Sequence, residues 1–394
     1  MAEPTITLRI AFASDPFAAV PSWNDISSDG MDFSITKGRQ HELDRMEAGI
    51  ATLTLLNTSG NYWANNAGGA YYPNVKPLKR VNIRATYAAT TYDLYTGFVE
   101  SWDPDFILRP IKGPIMRLPC VDLISNLSRL LLNNAGYAEE LSGTRIGNVL
   151  DDLGWAAGAR DLDDGLTIIR ASGVMENENA TEHLFLVQQS ENGIVFIQGD
   201  GDVEFQDRGA RLRVPYTTSQ GTFGDGAGEL GYNAIEFADD VQYLYNDIHI
   251  TREGGTEQTA SDAASQTAYG KRSFQRTGLL FLNDNEAQSY AEYLLSRYKD
   301  PALRLKSITI RPGADPDNLY PLVLGLDISS RITIKLSQAN IDEDYHIEGI
   351  RHTWDARSKI WETRWELTPV SQWIYWALEI AGVSELGLTT RLFY

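Results

Sequence analysis

KGRQHELDRMEAGIATLTLLNTSGNYW, residues 37–63, is the stretch whose reading decides the fold. Within it Ala51, Leu53 and Leu55 alternate with Thr52 and Thr54, the period of two expected of a strand with one buried face. Residues 57–61 then supply Ser-Gly turn chemistry, and Tyr62 and Trp63 place rigid aromatic area just beyond it. Ahead of the strand, Gly38-Arg39, Glu42-Leu43-Asp44-Arg45 and Glu47-Ala48-Gly49 carry no catalytic spacing. They read as shape.

Working outward, the same alternation appears at Ile6 to Phe12, Phe33 and Ile35, Val81 to Ala85 and Tyr92 to Val99, with no helical period before residue 115. Short strands divided by Gly, Pro and Asn turns predict a first β-barrel over residues 1–108. The period then changes. Leu123, Leu127, Leu130 and Leu131 predict a helix ended by Asn134 and Gly136. Ile146 to Leu153 predict a second helix, and Asn179 to Asn192 a third, followed by a hairpin through Gly199 to Asp202. Residues 109–232 thus read as an α+β insertion. Residues 233–370 read as a second β-barrel carrying one helix, whose inner face holds Ala287, Tyr290, Ala291, Leu294, Leu295 and Tyr298. The stretch from Thr251 to Gly270, rich in Ser, Thr, Gln and Gly, reads as a loop. A phase switch between Ile347 and Ile350 predicts a bulge at Gly349. Residues 371–394 form an apolar segment, with Trp373 and Trp376 packing on the second barrel or meeting a partner.

The charge balance narrows function. Against 34 Lys and Arg stand 53 Asp and Glu, a formal net charge of -19, so nucleic acid and anionic membranes are repelled. A single cysteine excludes an internal disulfide framework, and no apolar run is long enough to span a membrane. Gly226 to Gly231 matches G-x-G-x-x-G, but a strand pattern follows it where a dinucleotide site requires a helix, so it reads as a linker. Asp200 to Asp202 and Asp161 to Asp164 lack the run of ligands that calcium needs and read as turns. The five histidines have no metal or nucleophile spacing, and His346 and His352 are assigned to opposite faces of a sheet surface or interface. No enzyme, metal or cofactor is expected. Of nine tryptophans, six lie in or beside strands, which suits cores and subunit contacts.

The order and spacing of several segments resemble phage minor tail proteins. They are WNDI (23–26), GR (38–39), ELDRMEAGIATLTLLN (42–57), NYWANN (61–66), YYP (71–73), YTGFVESW (95–102), DDLGWAAGARDLDDG (151–165), VEFQDR (203–208), YHIEGIRH (345–352) and WETRWELTP (361–369), with 291–301 and 324–334 also matching. Within that family the nearest picture is the baseplate or tail-tip hub. The resemblance implies a virion protein at the tail tip: a homotrimer whose chains each give two tube-like barrels, six in all, adapting a sixfold tail to a threefold tip. It implies as partners a distal tail or tail tube protein, the tape-measure protein, and tail fibres or receptor-binding proteins, with DNA passing through the lumen without specific binding. The family's large C-terminal extension, with any piercing or lytic role, is not expected here. Glu42, Asp44, Arg45, Glu47, Tyr62 and Trp63 become candidate subunit contacts beside Trp373 and Trp376. Two alternatives are a hexameric distal tail adaptor ring and a tail-tip protein that binds or hydrolyses carbohydrate.

Overall fold

The alternation at residues 51–55 forms the strand Glu47–Leu56, in the middle of a 14-stranded sheet. The structure is a computed structural model describing residues 3–105, 113–238, 240–301, 304–370, 374–376 and 390–392. Glu47–Leu56 pairs antiparallel with Gly30–Gly38 on one side and Ile115–Val121 on the other. Gly30–Gly38 pairs in turn with Ile341–Asp355, setting Phe33 opposite Trp354 and Gly38 opposite Gly349. That seam joins the N-terminal strands to the C-terminal ones. From it the sheet runs one way through Thr90–Val99, Arg80–Tyr87 and Thr5–Ile10, and the other way through Ile360–Pro369, Arg304–Ile310 and Ala234–Ala238. Among the described residues this path is open at both ends, so the protein is mainly β without hydrogen-bonded closure of either half.

One core serves both halves. Leu53, Leu55 and Phe33 belong to the same cluster as Ile308, Ile347, Trp361 and Trp365, all at most 2% exposed. A second core gathers the helices Leu123–Leu127 (α1), Ser142–Asp152 (α2) and Ala180–Glu191 (α3) against the hairpin of Ile194–Ile197 and Val203–Gln206. Asn179 caps α3 as its sequence predicts, accepting from Glu182 N–H at 3.1 Å, and Asn192 ends it in the left-handed conformation. The first helix is shorter than its leucine spacing predicts. Leu131 opens the strand Leu131–Asn134, which pairs with Met175–Asn179, so a ladder displaces the last helical turn.

A third core forms where Asp247–Arg252, Gln258–Ser261 and Ser273–Leu279 are covered by Asp284–Tyr298. The expected inner face of that helix is buried at Ala287, Tyr290, Ala291, Leu294 and Tyr298, while Leu295 is half-buried. Two further helices stand where none is predicted. Ala263–Tyr269 lies in the stretch read as a loop, capped by Asp262 accepting from Ser265 N–H at 2.9 Å, and Pro316–Gly325 contains Pro321. Among the described residues the second β-rich segment therefore carries three α-helices rather than one.

The bulge is present. Register shifts between Ile347 and Gly349, leaving Glu348 as the extra residue. Gly38, at φ +94°, allows it: a Cβ there would sit 2.3 Å from Glu348 O. His346 and His352 are buried, which corrects their assignment to a sheet surface. Their Nδ1 atoms lie 2.9 Å from Ser329 O and Thr363 Oγ1. Burial pushes both imidazoles down to about 3, so they are neutral. Trp373 and the expected boundary at 108 lie outside the described residues. Trp376 ends the short strand Ile374–Trp376, paired with Thr390–Leu392.

Trp365, fully buried in the core that both halves share, tests whether one core holds both. Trp365→Ala should cost about 3–5 kcal/mol in urea unfolding and leave a single transition. Two separate transitions would indicate independent halves.

Candidate functional site

The bulge turns Glu348 inward, where its side chain is 0% exposed. Its Oε2 accepts from Arg39 Nε at 2.9 Å and its Oε1 from Arg211 Nη1 at 2.5 Å. Arg211 also donates to Ser329 Oγ at 3.1 Å, and Arg39 to Asp44 O at 3.2 Å. Burial alone would push the Glu348 carboxyl up; the Arg211 and Arg39 guanidinia override it and hold the group well below the usual carboxylate range. Three parts of the chain meet at this carboxylate: the loop after Gly30–Gly38, the segment after the α+β hairpin, and the C-terminal sheet.

The rest of the loop fastens the same junction. Glu42 grips Arg297 through two bonds at 2.7 and 2.8 Å and accepts from the Tyr298 hydroxyl. Burial pushes the Glu42 carboxyl up, but the charge and hydrogen bonds of Arg297 outweigh it and hold it down at about 2. His41 stacks on Tyr243 at 3.6 Å, and Leu43 O accepts from Arg276 Nη2 at 3.1 Å. Arg45 lies 3.7 Å over the Phe185 ring and donates to Glu182 at 2.8 Å, tying the loop to α3. Asp122 caps α1 and accepts from Gly49 N–H at 2.5 Å. Apolar side chains follow the same division: Leu43 packs on the third core, Met46 enters the second, and Ala51 to Leu55 enter the first.

The candidate contact residues therefore separate. Tyr62 is a core residue, 0% exposed, its hydroxyl donating to Asp29 at 2.6 Å and its ring stacked 5.6 Å from Tyr71, so it offers no surface. Glu42 is spent within the chain. Asp44 is half-buried and accepts from Tyr243 at 3.3 Å. Arg45 and Glu47 are exposed, and Trp63 is half-buried. Sequence reasoning missed Arg39, Arg211 and Glu348; the phase switch at Gly349 was the available signal for the last.

On the outer side of the junction lies a groove of about 600 Å3, lined by Lys37, Arg45, Glu47, Arg351, Arg364 and Glu366 among others. Its lining mixes both signs of charge. Among the described residues no group of three or more His, Cys, Asp or Glu side chains is placed to hold a metal, and no helix is long and apolar enough to cross a membrane.

Two predictions follow the charges. Glu348→Gln leaves Arg39 and Arg211 buried without their counter-charge and should cost about 3–5 kcal/mol in chemical denaturation. Glu42, at about 2 folded against 4.5 unfolded, contributes stability present above pH 4.5 and lost as pH falls toward 2. Glu42→Gln should flatten the acid limb of the stability curve in that window, and an unchanged slope would contradict the clamp.

Neither a protein-family model nor a curated protein sequence matches the chain. Solved structures do. A tail protein from Neisseria meningitidis MC58 is 11% identical, with 93% of this chain and 96% of that one covered at a TM-score of 0.60. The 43 kDa tail protein of prophage MuSo2 from Shewanella oneidensis is 12% identical, covering 93% and 98% at 0.58. A chain of the Francisella PdpA-VgrG complex is 9% identical, covering 92% of this chain and 52% of that one at 0.52. At such identities the likeness is one of fold, and it extends over both β-rich segments and what lies between them: the chain has the tail-protein fold, as its resemblance to phage minor tail proteins of the hub family implies.

Proposed function

We propose that the protein is a structural component of a phage tail, the homotrimeric hub at the distal end of the tail tube. The observation that carries this reading is the seam at Gly30–Gly38, which fixes two β-rich halves in one sheet across a shared core. Three chains then present six such halves, the arithmetic needed where a sixfold tube meets a threefold tip. The likeness to tail proteins over 93% of the chain supports the same reading. In this role the chain sits against a tail tube or distal tail protein, anchors the tape-measure protein, carries fibres or receptor-binding proteins, and does no chemistry. The net charge of -19 supports passage of DNA without adhesion, because a channel lined with carboxylates repels phosphate. Arg45, Glu47 and Trp63 remain candidate contacts between chains.

Light scattering of the purified chain should give a mass three times its 43.9 kDa; a sixfold mass would favour the hexameric adaptor ring instead. Trp63→Ser should leave a folded monomer by circular dichroism and reduce the trimer. Loss of folding would return Trp63 to the core.

A further inference from the structure

The three-stranded sheet of Asp247–Arg252, Gln258–Ser261 and Ser273–Leu279 has one face under the helix Asp284–Tyr298, where Ile248 and Ile250 enter the third core. Side chains alternate along a strand, so Asp247 and His249 point to the opposite face. There the His249 ring lies between two carboxylates. Its Nδ1 is 3.0 Å from Glu257 Oε1, and its Nε2 is 2.9 Å from Asp247 Oδ2. A neutral imidazole carries one N–H and one lone pair, and an ionised carboxylate only accepts, so both contacts are hydrogen bonds only when the ring is an imidazolium. The bonds to Glu257 and Asp247 outweigh burial and push its pKa above the usual 6.5. Its neighbours on the adjoining strands, Thr259 and Gln275, do not titrate. Lys271 pairs with Asp247 at 3.0 Å.

The two carboxylates are not equivalent. Asp247 is 6% exposed and also accepts from the Ser273 hydroxyl at 2.6 Å. Burial would push its carboxyl up, but hydrogen bonds from Ser273, His249 and Lys271 outweigh it and hold it down at about 2, so it stays ionised and stays held. Glu257 has no second hydrogen bond or ion pair among the described residues, so the imidazolium is what holds it. Glu257 closes the turn 253–257, which joins this sheet to the rest of the chain: Glu253 O accepts from Arg170 Nη1 at 2.6 Å, and Thr256 Oγ1 donates to Asp284 Oδ2 at 2.8 Å. We propose that His249 is a pH-sensitive latch, holding the turn 253–257 through Glu257 while the ring is charged and letting it loosen when the ring gives up its proton. Deprotonation turns a lone pair toward a carboxylate, and Glu257, 46% exposed, is the one free to move away. The folded ring holds its proton more tightly than an unfolded one, so this contribution is fully present below pH 6.5 and is lost as pH rises through the folded pKa. Because Arg170 belongs to the α+β segment, the latch sets how firmly that segment and the third core are joined.

The test follows the histidine Cε1 resonances of the full chain by NMR as pH is raised, and hydrogen exchange of the turn by mass spectrometry. Burial pushes His41 and His183 down to about 4 and His346 and His352 down to about 3, so one resonance, that of His249, should titrate in the neutral range, with its midpoint above 6.5. Glu257→Gln removes one of the two carboxylates and should bring that midpoint down toward 6.5. Exchange at residues 253–257, corrected for its intrinsic rise with pH, should quicken several-fold as pH passes the midpoint, and in Glu257→Gln it should be fast at every pH. The titration and the exchange step of the parent chain need no variant. A midpoint at or below 6.5, a midpoint unmoved by Glu257→Gln, or a turn whose corrected exchange shows no step through the midpoint would each overturn the proposal.

Discussion

A carboxylate with no access to water must keep its counter-charges, and Glu348 keeps two. Arg39 and Arg211 reach it from segments far apart in sequence, so these segments hold the charge balance only while they stay together. Breaking the contact from either side strands a buried ion, a far larger penalty than loss of an exposed ion pair such as Arg311–Glu362. The backbone enforces the geometry. The extra residue at the bulge aims Glu348 away from the core that Ile347 and Ile350 occupy, and Gly38 lets the neighbouring strand pass where any side chain would collide. The ion triad and the sheet seam are thus one device.

The loop that supplies Arg39 extends this device to the whole molecule. Within a few residues it clamps Arg297 through Glu42, reaches α3 through Arg45, and sends Leu43, Met46 and Ala51 into three different cores. Segments connected only by linkers would swing against each other. Here each is tied to the same short stretch.

Much of this was legible in the sequence, and the physical reason is local. Alternation announced Glu47–Leu56 and the strands beside it because side-chain direction in a strand follows residue number. The bulge was visible as a slip in that alternation, and Asn179 and Asn192 marked the ends of α3 through cap chemistry that acts over three or four residues. What was hidden depends on partners distant in the chain. Nothing near Glu348 declares that Arg39 and Arg211 will surround it, nothing near Tyr62 that Tyr71 and Asp29 will bury it, and nothing near Leu131 that Met175–Asn179 will draw it into a ladder. Ala263–Tyr269 is the intermediate case. Its Asp262 cap was readable, but its small polar residues have no apolar stripe to reveal a helix.

The reading proposed above, a component that turns a sixfold tube into a threefold tip, draws its support from the fold likeness, the two β-rich halves across one seam and the acidity. A symmetry-resolved image of the assembled tail, with this chain fitted into its density, tests that claim most directly. The account predicts three copies around the axis at the distal end of the tube, with both halves of each chain continuing the ring above. Six copies, or density for the chain away from the tube axis, would contradict it.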